Sequence, residues 1–225
     1  MVSIIIRTRD EELYIEKCLI ALKQQNFIKS EIIIVDNGSK DNTLKLAKKY
    51  KCKIIKYPNS IKFNYSKAIN IGIKNSKSDI ISIISAHCIP FDNYWIYNAF
   101  KHFQDPEIGA VYSRQLPTDS SKDKDYRDLF QVFREETNYQ QKDFYFNNAS
   151  SFIRKNLWNR FKFNEKINGL EDLDWAKRIQ TAGKKIVYES GSRVFHFHGI
   201  NQNTNLKRLK RQIKIIKKNF RNEFN

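Results

Sequence analysis

The residues with the clearest potential for chemistry form a short acidic segment, Glu171-Asp172-Leu173-Asp174. A positioned carboxylate can act as a general base toward a hydroxyl group. The segment opens a predicted helix, where the helix dipole favours acids for purely structural reasons. An aspartate there is expected to have a low pKa, so its effect as a base would depend on placement and on the rising acidity of the hydroxyl in the transition state.

Three of the four histidines form a second candidate group. His196 and His198 are two residues apart on a predicted strand, so their side chains point to one face, and His87 follows an earlier strand. Imidazole can bind Mn²⁺, whereas Mg²⁺ prefers oxygen ligands. The histidines predict a divalent-cation site. In the alternative, basic residues such as Lys67 and Arg114 neutralise the charge of a leaving group without a metal.

Alternating strand and helix patterns predict the elements that position these groups. Short apolar segments alternate with stretches whose apolar residues recur at helical spacing. Three of the apolar segments are nearly continuous Ile and Val, which is typical of parallel strands covered on both faces. The pattern predicts an α/β fold with a Rossmann-like, mostly parallel central sheet flanked by helices. The four strands are predicted at Val2–Ile6, Glu31–Val35, Cys52–Tyr57 and Asp79–Ile84.

The carboxyl ends of these strands predict a ligand site. The segments Arg7–Asp10, Asp36–Ser39 and Ser85–Cys88 should converge there, because ligands of open parallel sheets bind at that edge. A carboxylate such as Asp36 can accept a hydrogen bond from the edge of a nucleotide base. The alternative is a turn, since Asp-Asn-Gly favours turns by itself.

The second half of the chain is less regular. Gly183 is a plausible cap for the helix that starts at Glu171. Absence of an internal repeat or low-complexity linker predicts one domain. The other predicted elements are a helix at Trp95–Phe103, strands at Ala110–Arg114, Phe152–Arg154 and Arg193–His198, and a polar loop with a mobile middle at Leu116–Asp128.

Composition restricts the class of protein. A chain of 225 residues with 40% hydrophobic residues suits one globular domain. A formal charge of +17 predicts attraction to phosphates, nucleotides, anionic lipid or nucleic acid, although a lysine-rich solvated surface explains much of it equally well. The sequence contains no apolar run long enough for a membrane span, no leader and no Cys-x-x-Cys pair, which together predict a cytoplasmic protein.

Residues 205–225 predict a basic amphipathic C-terminal helix. Eight basic residues from Lys207 to Arg221 surround an apolar stripe. The stripe fits docking on the domain or on another subunit, or contact with anionic lipid at the inner face of the membrane, better than it fits nucleic acid. The stripe consists of Leu206, Leu209, Ile213, Ile216 and Phe220.

Three segments, in order and spacing, resemble the family 2 glycosyltransferases of the GT-A fold. They are Val2–Asp10, the turn at Asp36–Ser39, and Gly169–Trp175, and the similarity runs from about residue 2 to about residue 200. Two further segments, Phe63–Gly72 and Ser85–Pro90, are similar to a subgroup with Ser-Ala-His where most members have Asp-x-Asp. The resemblance implies a GT-A domain over 1–204, with a nucleotide-binding half at 1–90 and an acceptor and catalytic half at 91–204.

The resemblance also implies roles for individual residues. Asp172 would be the catalytic base, and Glu171 would position the acceptor or the donor. A late histidine would complete a metal shell with His87. Asp174 is alternatively a cap or ion-pair partner, and Trp175 a core residue. Nucleotide binding is implied for Thr8, Asp10, Asp36, Lys67 and Ser85, and donor or acceptor binding for Arg114, Asn147, Asn148, Asp174 and Trp175.

The implied activity is inverting transfer of a sugar from a nucleotide donor to a hydroxyl group. A uridine nucleotide is the default donor, and the acceptor is a glycan or glycolipid of a bacterial surface polysaccharide. One alternative binds sugar nucleotides without transfer. A nucleotidyltransferase would need a glycine-rich phosphate loop, and residues 6–10 contain no glycine. A nucleic-acid-binding protein would need a recognition signature that the sequence lacks, so we expect no nucleic-acid partner.

Overall fold

The computed structural model describes residues 1–26, 28–140, 143–197, 199 and 206–219. The strands are β1 (Val2–Thr8), β2 (Ser30–Asp36), β3 (Lys53–Lys56), β4 (Ile80–Ser85), β5 (Cys88–Pro90), β6 (Ile108–Leu116), β7 (Asn138–Gln140), β8 (Ser150–Arg154) and β9 (Lys185–His196). The helices are α1 (Glu12–Lys23), α2 (Thr43–Lys49), α3 (Tyr65–Lys74), α4 (Trp95–Phe100), α5 (Asp123–Val132), α6 (Lys155–Arg160), α7 (Glu171–Thr181) and α8 (Leu206–Asn219).

Within the described residues, all nine strands belong to one mixed sheet. Their order is β3-β2-β1-β4-β8-β6-β9-β5, and β7 pairs with β9. The first four strands are parallel, as predicted. Strand β8 then runs antiparallel to both β4 and β6, while β9 runs parallel to β6. The predicted α/β class is confirmed, and the second half of the chain makes the sheet mixed.

Helices cover the parallel strands on both faces, which explains why their sequences are apolar without alternation. Ile4 and Ile6 of β1 belong to a core that includes α1, whereas Ile5 belongs to a core that includes α3. Full burial of such a side chain contributes ~1.5–3 kcal/mol. Gly72 permits the close approach of α3, because a Cβ atom there would clash with Ile5.

Most of the other predicted elements are present with shifted ends. The helix predicted at Trp95–Phe103 is α4 followed by a 3₁₀ turn at Lys101–Gln104. The loop prediction for Leu116–Asp128 is wrong at its end, because α5 begins at Asp123 and buries Leu129. The strand predicted at Arg193–His198 is the end of the longer β9, and His198 lies outside the described residues.

Candidate functional site

Two adjoining cavities open where β1 and β4 end. The larger has a volume of about 440 Å³ and the smaller about 220 Å³. Arg7, Tyr65 and Ser85 line both and form the wall between them. The strand ends therefore meet at one edge of the sheet, as parallel topology predicts.

The larger cavity lies on the side of β1 and β2. Its lining combines polar groups from strand ends and turns with the aromatic rings of Phe63 and Tyr65, an arrangement that suits a nucleoside. Besides the shared wall it is lined by Thr8, Arg9, Glu11, Asn37, Phe63 and His87.

Asp36 stands behind this lining. Its carboxylate is only 2% exposed and accepts hydrogen bonds from Thr8 Oγ1 at 3.1 Å, Gly38 N at 3.0 Å and Ser39 N at 3.1 Å. Ser39 Oγ donates a further bond to it. In the described part of the chain Asp36 lines neither cavity, whereas its neighbour Asn37 does. The geometry is that of a carboxylate that organises the turn, and nucleotide binding by Asp36 stays a prediction.

Two other predicted nucleotide-binding residues also lie outside the described linings. Asp10 is exposed, has a φ of 54°, and accepts a hydrogen bond from Lys40 N at 2.7 Å. Lys67 lies in the first turn of α3, where its backbone N–H donates to Asn64 Oδ1 at 2.9 Å. Of the five residues predicted for this role, the cavities are lined by Thr8 and Ser85.

Asn64 and Asn168 tie the start of α3 to the segment before α7. Asn64 caps α3 and donates to the carbonyl of Ile167 at 2.9 Å. Asn168 Oδ1 accepts a hydrogen bond from Tyr65 N at 3.2 Å. These bonds hold the ring of Tyr65 at the wall of the smaller cavity, next to the acidic start of α7.

The backbone enters α7 through two left-handed residues, Gly169 with a φ of 119° and Leu170 with a φ of 58°. Left-handed backbone is sparse for a residue other than glycine, and such strain clusters at functional sites. The reversal brings Glu171 and Asp172 into the lining of the smaller cavity.

Asp172 lies at the centre of this arrangement. Its Oδ2 accepts a hydrogen bond from Asn148 N at 3.2 Å, and its Oδ1 accepts one from Leu173 N at 3.0 Å. Loss of solvation, and then the charge of Glu171, raise the pKa of Asp172 to about 7. The expectation of a low pKa at a helix start was wrong, because desolvation outweighs the hydrogen bonds and the helix dipole.

Glu171 is buried and paired. Arg7 Nη1 lies 3.1 Å from its Oε1, and the Arg7 guanidinium also lies 5.1 Å from the centroid of the Tyr65 ring. Two described acids line this cavity. Glu171 forms an ion pair with Arg7, whereas Asp172 has no direct ion pair among the described residues. A carboxylate with a pKa near neutrality, in a cleft, fits a general base.

The residues predicted to bind donor or acceptor divide into two groups. Asn147 and Asn148 line the smaller cavity. Trp175 is fully buried, donates to the carbonyl of Phe161 and stacks on Phe163, so its ring has no open face for a sugar. The core alternative for Trp175 is the one that the structure supports.

Asp174 and Arg114 are engaged away from the described linings. Asp174 pairs with Arg178 at 2.8 Å, one helical turn along α7, which matches the ion-pair alternative. Arg114 pairs with Glu135 at 3.2 Å. Neither residue lines either cavity in the described part of the chain.

The histidines come together only in part. The rings of His87 and His196 stack with centroids 5.4 Å apart. His87 Nδ1 lies 3.2 Å from Glu11 Oε1, and His196 Nδ1 lies 2.6 Å from Gln115 Oε1. His198 lies outside the described residues. Among the residues that the structure describes, no group of three His, Cys, Asp or Glu side chains could hold a metal ion. The described histidines therefore do not complete a ligand set, and the metal site stays a prediction.

The C-terminal helix supplies lining residues that sequence patterns did not indicate. Arg208, Arg211 and Gln212 of α8 line the smaller cavity. The helix lies on the domain through these polar residues and not through its apolar stripe, and contact of the stripe with another subunit or with lipid stays a prediction. Three residues of the apolar stripe are exposed: Leu206 at 63%, Leu209 at 49% and Ile213 at 42%. Ile216 is half-buried, and Phe220 lies outside the described residues.

Comparison with known proteins agrees with this architecture. The chain is 28% identical over 214 residues to O-antigen chain rhamnosyltransferase RfbN of Salmonella typhimurium, covering 88% of this chain and 66% of that protein. It is 39% identical over 121 residues to a dolichyl N-acetyl-alpha-D-glucosaminyl phosphate 3-beta-D-2,3-diacetamido-2,3-dideoxy-beta-D-glucuronosyltransferase of Methanococcus voltae, covering 49% of this chain and 37% of that protein. The chain thus spans less than two thirds of the length of these relatives.

Solved structures share the fold. The chain aligns with S. aureus TarS 1-349 at a TM-score of 0.71 and 18% identity, over 96% of this chain and 65% of that one. It aligns with mannosyltransferase PcManGT from Pyrobaculum calidifontis, in complex with GDP-Man and Mn²⁺, at 0.69 and 19% identity, over 87% and 56% of the two chains. These alignments confirm the predicted GT-A fold.

A family model described as glycosyl transferase family 2 matches residues 3–167, which is most of the chain. The match covers the parallel strands from residue 3 onward and the three residues of the wall between the cavities, and it ends before α7. Of the three segments on which the resemblance depended, the first two lie within the match apart from residue 2, and the third begins just after the match ends. The chain belongs to glycosyl transferase family 2.

Proposed function

We propose that the chain is an inverting nucleotide-sugar glycosyltransferase in which Asp172 is the general base. The observation that carries the proposal is the position of Asp172. Its carboxyl group has a pKa of about 7 and lines a small cavity, next to a larger cavity at the strand ends. A group with that pKa is half ionised at neutral pH, where it combines availability with basicity.

The two cavities suit the two parts of a nucleotide sugar. The nucleoside would occupy the larger cavity between Asn37 and Phe63, and the sugar the smaller one beside Asp172. The carboxylate of Asp172 would take the proton of the acceptor hydroxyl as its oxygen bonds to the anomeric carbon. The bond from that carbon to the diphosphate breaks on the opposite face, and the nucleoside diphosphate leaves with the electron pair.

The donor and the acceptor follow from relatives and are part of the proposal. A TarS structure contains UDP-GlcNAc and the PcManGT structure contains GDP-Man, so both nucleotide classes are candidates, with the uridine nucleotide tested first. RfbN is named as an O-antigen chain rhamnosyltransferase. A glycan or lipid-linked glycan of a surface polysaccharide is the acceptor class that fits.

The outer face of α8 supports contact with anionic lipid. In the part of the chain that the structure describes, no helix is both long and apolar enough to cross a membrane. On α8, however, Leu206, Leu209 and Ile213 face outward together with exposed lysines. Apolar side chains beside lysines bind the surface of an anionic membrane. Such contact would place the enzyme near a lipid-linked acceptor.

A donor screen tests the proposal. The protein is incubated with UDP- and GDP-sugars, with Mn²⁺, Mg²⁺ or a chelator, and with lipid-linked glycans as acceptors. We expect one nucleotide sugar to raise the melting temperature and to release its nucleoside diphosphate, faster with acceptor than without. Binding without release would support the alternative of a sugar-nucleotide-binding protein. Failure of every nucleotide sugar to bind would overturn the proposal.

A further inference from the structure

The smaller cavity contains more positive than negative charge. Three arginines line it, Arg7, Arg208 and Arg211, against the acids Glu171 and Asp172. Arg7 is paired with Glu171, and the pKa of about 7 leaves Asp172 only partly ionised at neutral pH. Among the described lining residues the arginine side chains therefore outnumber the acidic ones, three to two, which favours an anionic ligand.

The position of Arg211 indicates where such an anion would bind. Its guanidinium lies 5.8 Å from the centroid of the Tyr65 ring, which Arg7 also approaches, at 5.1 Å. Its Nε is buried and has no hydrogen-bond partner among the described residues. An unmet buried N–H is unfavourable, and more so when the group is charged. A ligand oxygen would relieve that cost.

Gly169 lies against α8. Its φ of 119° is left-handed, and a Cβ atom built there would lie 3.7 Å from Arg211 Nε and 3.9 Å from Ile215 Cδ1. The same backbone reversal therefore places Asp172 in the cavity and forms the surface on which α8 lies. Burial lowers the pKa of Arg208, as expected for a cation withdrawn from water into this cleft.

We propose that Arg208 and Arg211 of α8, with Arg7, bind the diphosphate of the donor and stabilise its negative charge as the sugar leaves. The inference rests on the proposed function. The wall shared by the two cavities, Arg7, Tyr65 and Ser85, is where a diphosphate would lie between a nucleoside in one and a sugar in the other. The segment Ser85-Ala86-His87 at this wall contributes no carboxylate. Guanidinium groups donate paired hydrogen bonds to phosphate oxygens without a metal.

Binding of three uridine compounds separates the diphosphate from the nucleoside. Dissociation constants for UDP, UMP and uridine, and for the guanosine series if GDP binds better, are measured by calorimetry, once with a chelator and once with Mn²⁺. The variants are Arg208→Ala, Arg211→Ala and the double variant. Matched controls are Lys210→Ala and Lys214→Ala, which remove exposed cations from the outer face of the same helix.

We expect each arginine variant to weaken diphosphate binding about tenfold or more, since a hydrogen bond to a charged group is worth roughly 1.5–3 kcal/mol. Uridine binding should change less than about twofold, and the lysine controls should match the wild type, because those cations face away from the cleft. Arg211→Lys should recover part of the loss. Melting temperatures of all variants show whether α8 remains docked.

Each failure points to a different conclusion. If the wild-type protein binds no nucleoside diphosphate either with the chelator or with Mn²⁺, the proposed function itself fails. If it binds UDP and the arginine variants bind UDP equally well, only the inference about α8 fails. An equal loss for UDP and uridine would mean that the arginines hold the helix rather than the diphosphate, and would overturn it. So would diphosphate binding that requires Mn²⁺ and is indifferent to both arginines.

Discussion

Asp36 and Asp172 are both predicted site residues at the carboxyl edge of the sheet, but their surroundings in the structure differ. Asp36 is withdrawn behind the larger cavity, with both carboxylate oxygens engaged by its own turn and by Thr8. Asp172 lines the smaller cavity and accepts two backbone hydrogen bonds. A carboxylate whose oxygens all accept hydrogen bonds from nearby turns stabilises the backbone there. A desolvated carboxylate with fewer hydrogen bonds is available for proton transfer.

The largest expected effect is on turnover by Asp172→Asn. An asparagine keeps the size of the side chain and removes the base, so kcat/KM should fall ~10²–10⁴-fold. Nucleotide affinity should change little, because the side chain is on the sugar side of the shared wall. Asp123→Asn is the matched control, since Asp123 is an exposed aspartate in the first turn of another helix. Full activity of Asp172→Asn would remove Asp172 from the mechanism.

The pH profile of the wild-type enzyme gives the next effect in size. The base is the carboxylate form, which is lost as the pH falls through a pKa of about 7. The rate constant kcat/KM should therefore drop about tenfold per pH unit below that point, or ~100-fold at pH 5. An acid limb that appears only near pH 4 would mean that Asp172 is solvated as at an ordinary helix start. Stability measured over the same range shows whether the enzyme remains folded.

Asp36→Ala tests the other half of the comparison. The change leaves Thr8, Gly38 and Ser39 without their acceptor, and the free energy of unfolding should fall by about 1–3 kcal/mol. Denaturant titration measures it. Asn37→Ala, which alters the neighbouring lining residue, should leave stability nearly unchanged and weaken nucleoside binding. If Asp36→Ala weakens binding without loss of stability, Asp36 contacts the nucleotide directly and the sequence prediction stands.

The parallel half of the fold was predictable because Ile and Val runs with helical stripes between them admit few arrangements. Strands β5 and β7 were not, since three-residue strands form only because β9 is there to pair with them. The acidic start of α7 could be predicted as a site, but its pKa could not, because desolvation depends on the surrounding packing. For the apolar stripe of α8, only docking on this domain was wrong, because Leu206, Leu209 and Ile213 are exposed, whereas contact with another subunit or with lipid stays a prediction. The smaller cavity is polar, so the arginines of α8 pack against it. An amphipathic pattern indicates that one face of a helix is apolar, but not which face packs on the domain.

The smallest expected effect is on stability, and it has an unusual sign. Asp172 has a pKa of about 7 in the folded protein, against ~3.9 in an unfolded chain. Between these values the folded state binds more protons, so this group makes the protein less stable as the pH rises through the window.

An asparagine at position 172 does not titrate and therefore does not lower the stability in this way. Asp172→Asn should thus stabilise the protein by on the order of 1–4 kcal/mol above pH 7, and by little near pH 4. Denaturant titrations of both proteins at pH 4.5 and pH 8 measure the difference, in which the other titrating groups cancel. Asp36→Asn should not stabilise the protein, because an amide nitrogen would replace one of the two oxygens that accept hydrogen bonds from Thr8, Gly38 and Ser39. A loss of stability in Asp172→Asn at pH 8 would mean that the ionised carboxylate helps to hold the fold, and the contrast between the two aspartates would fail.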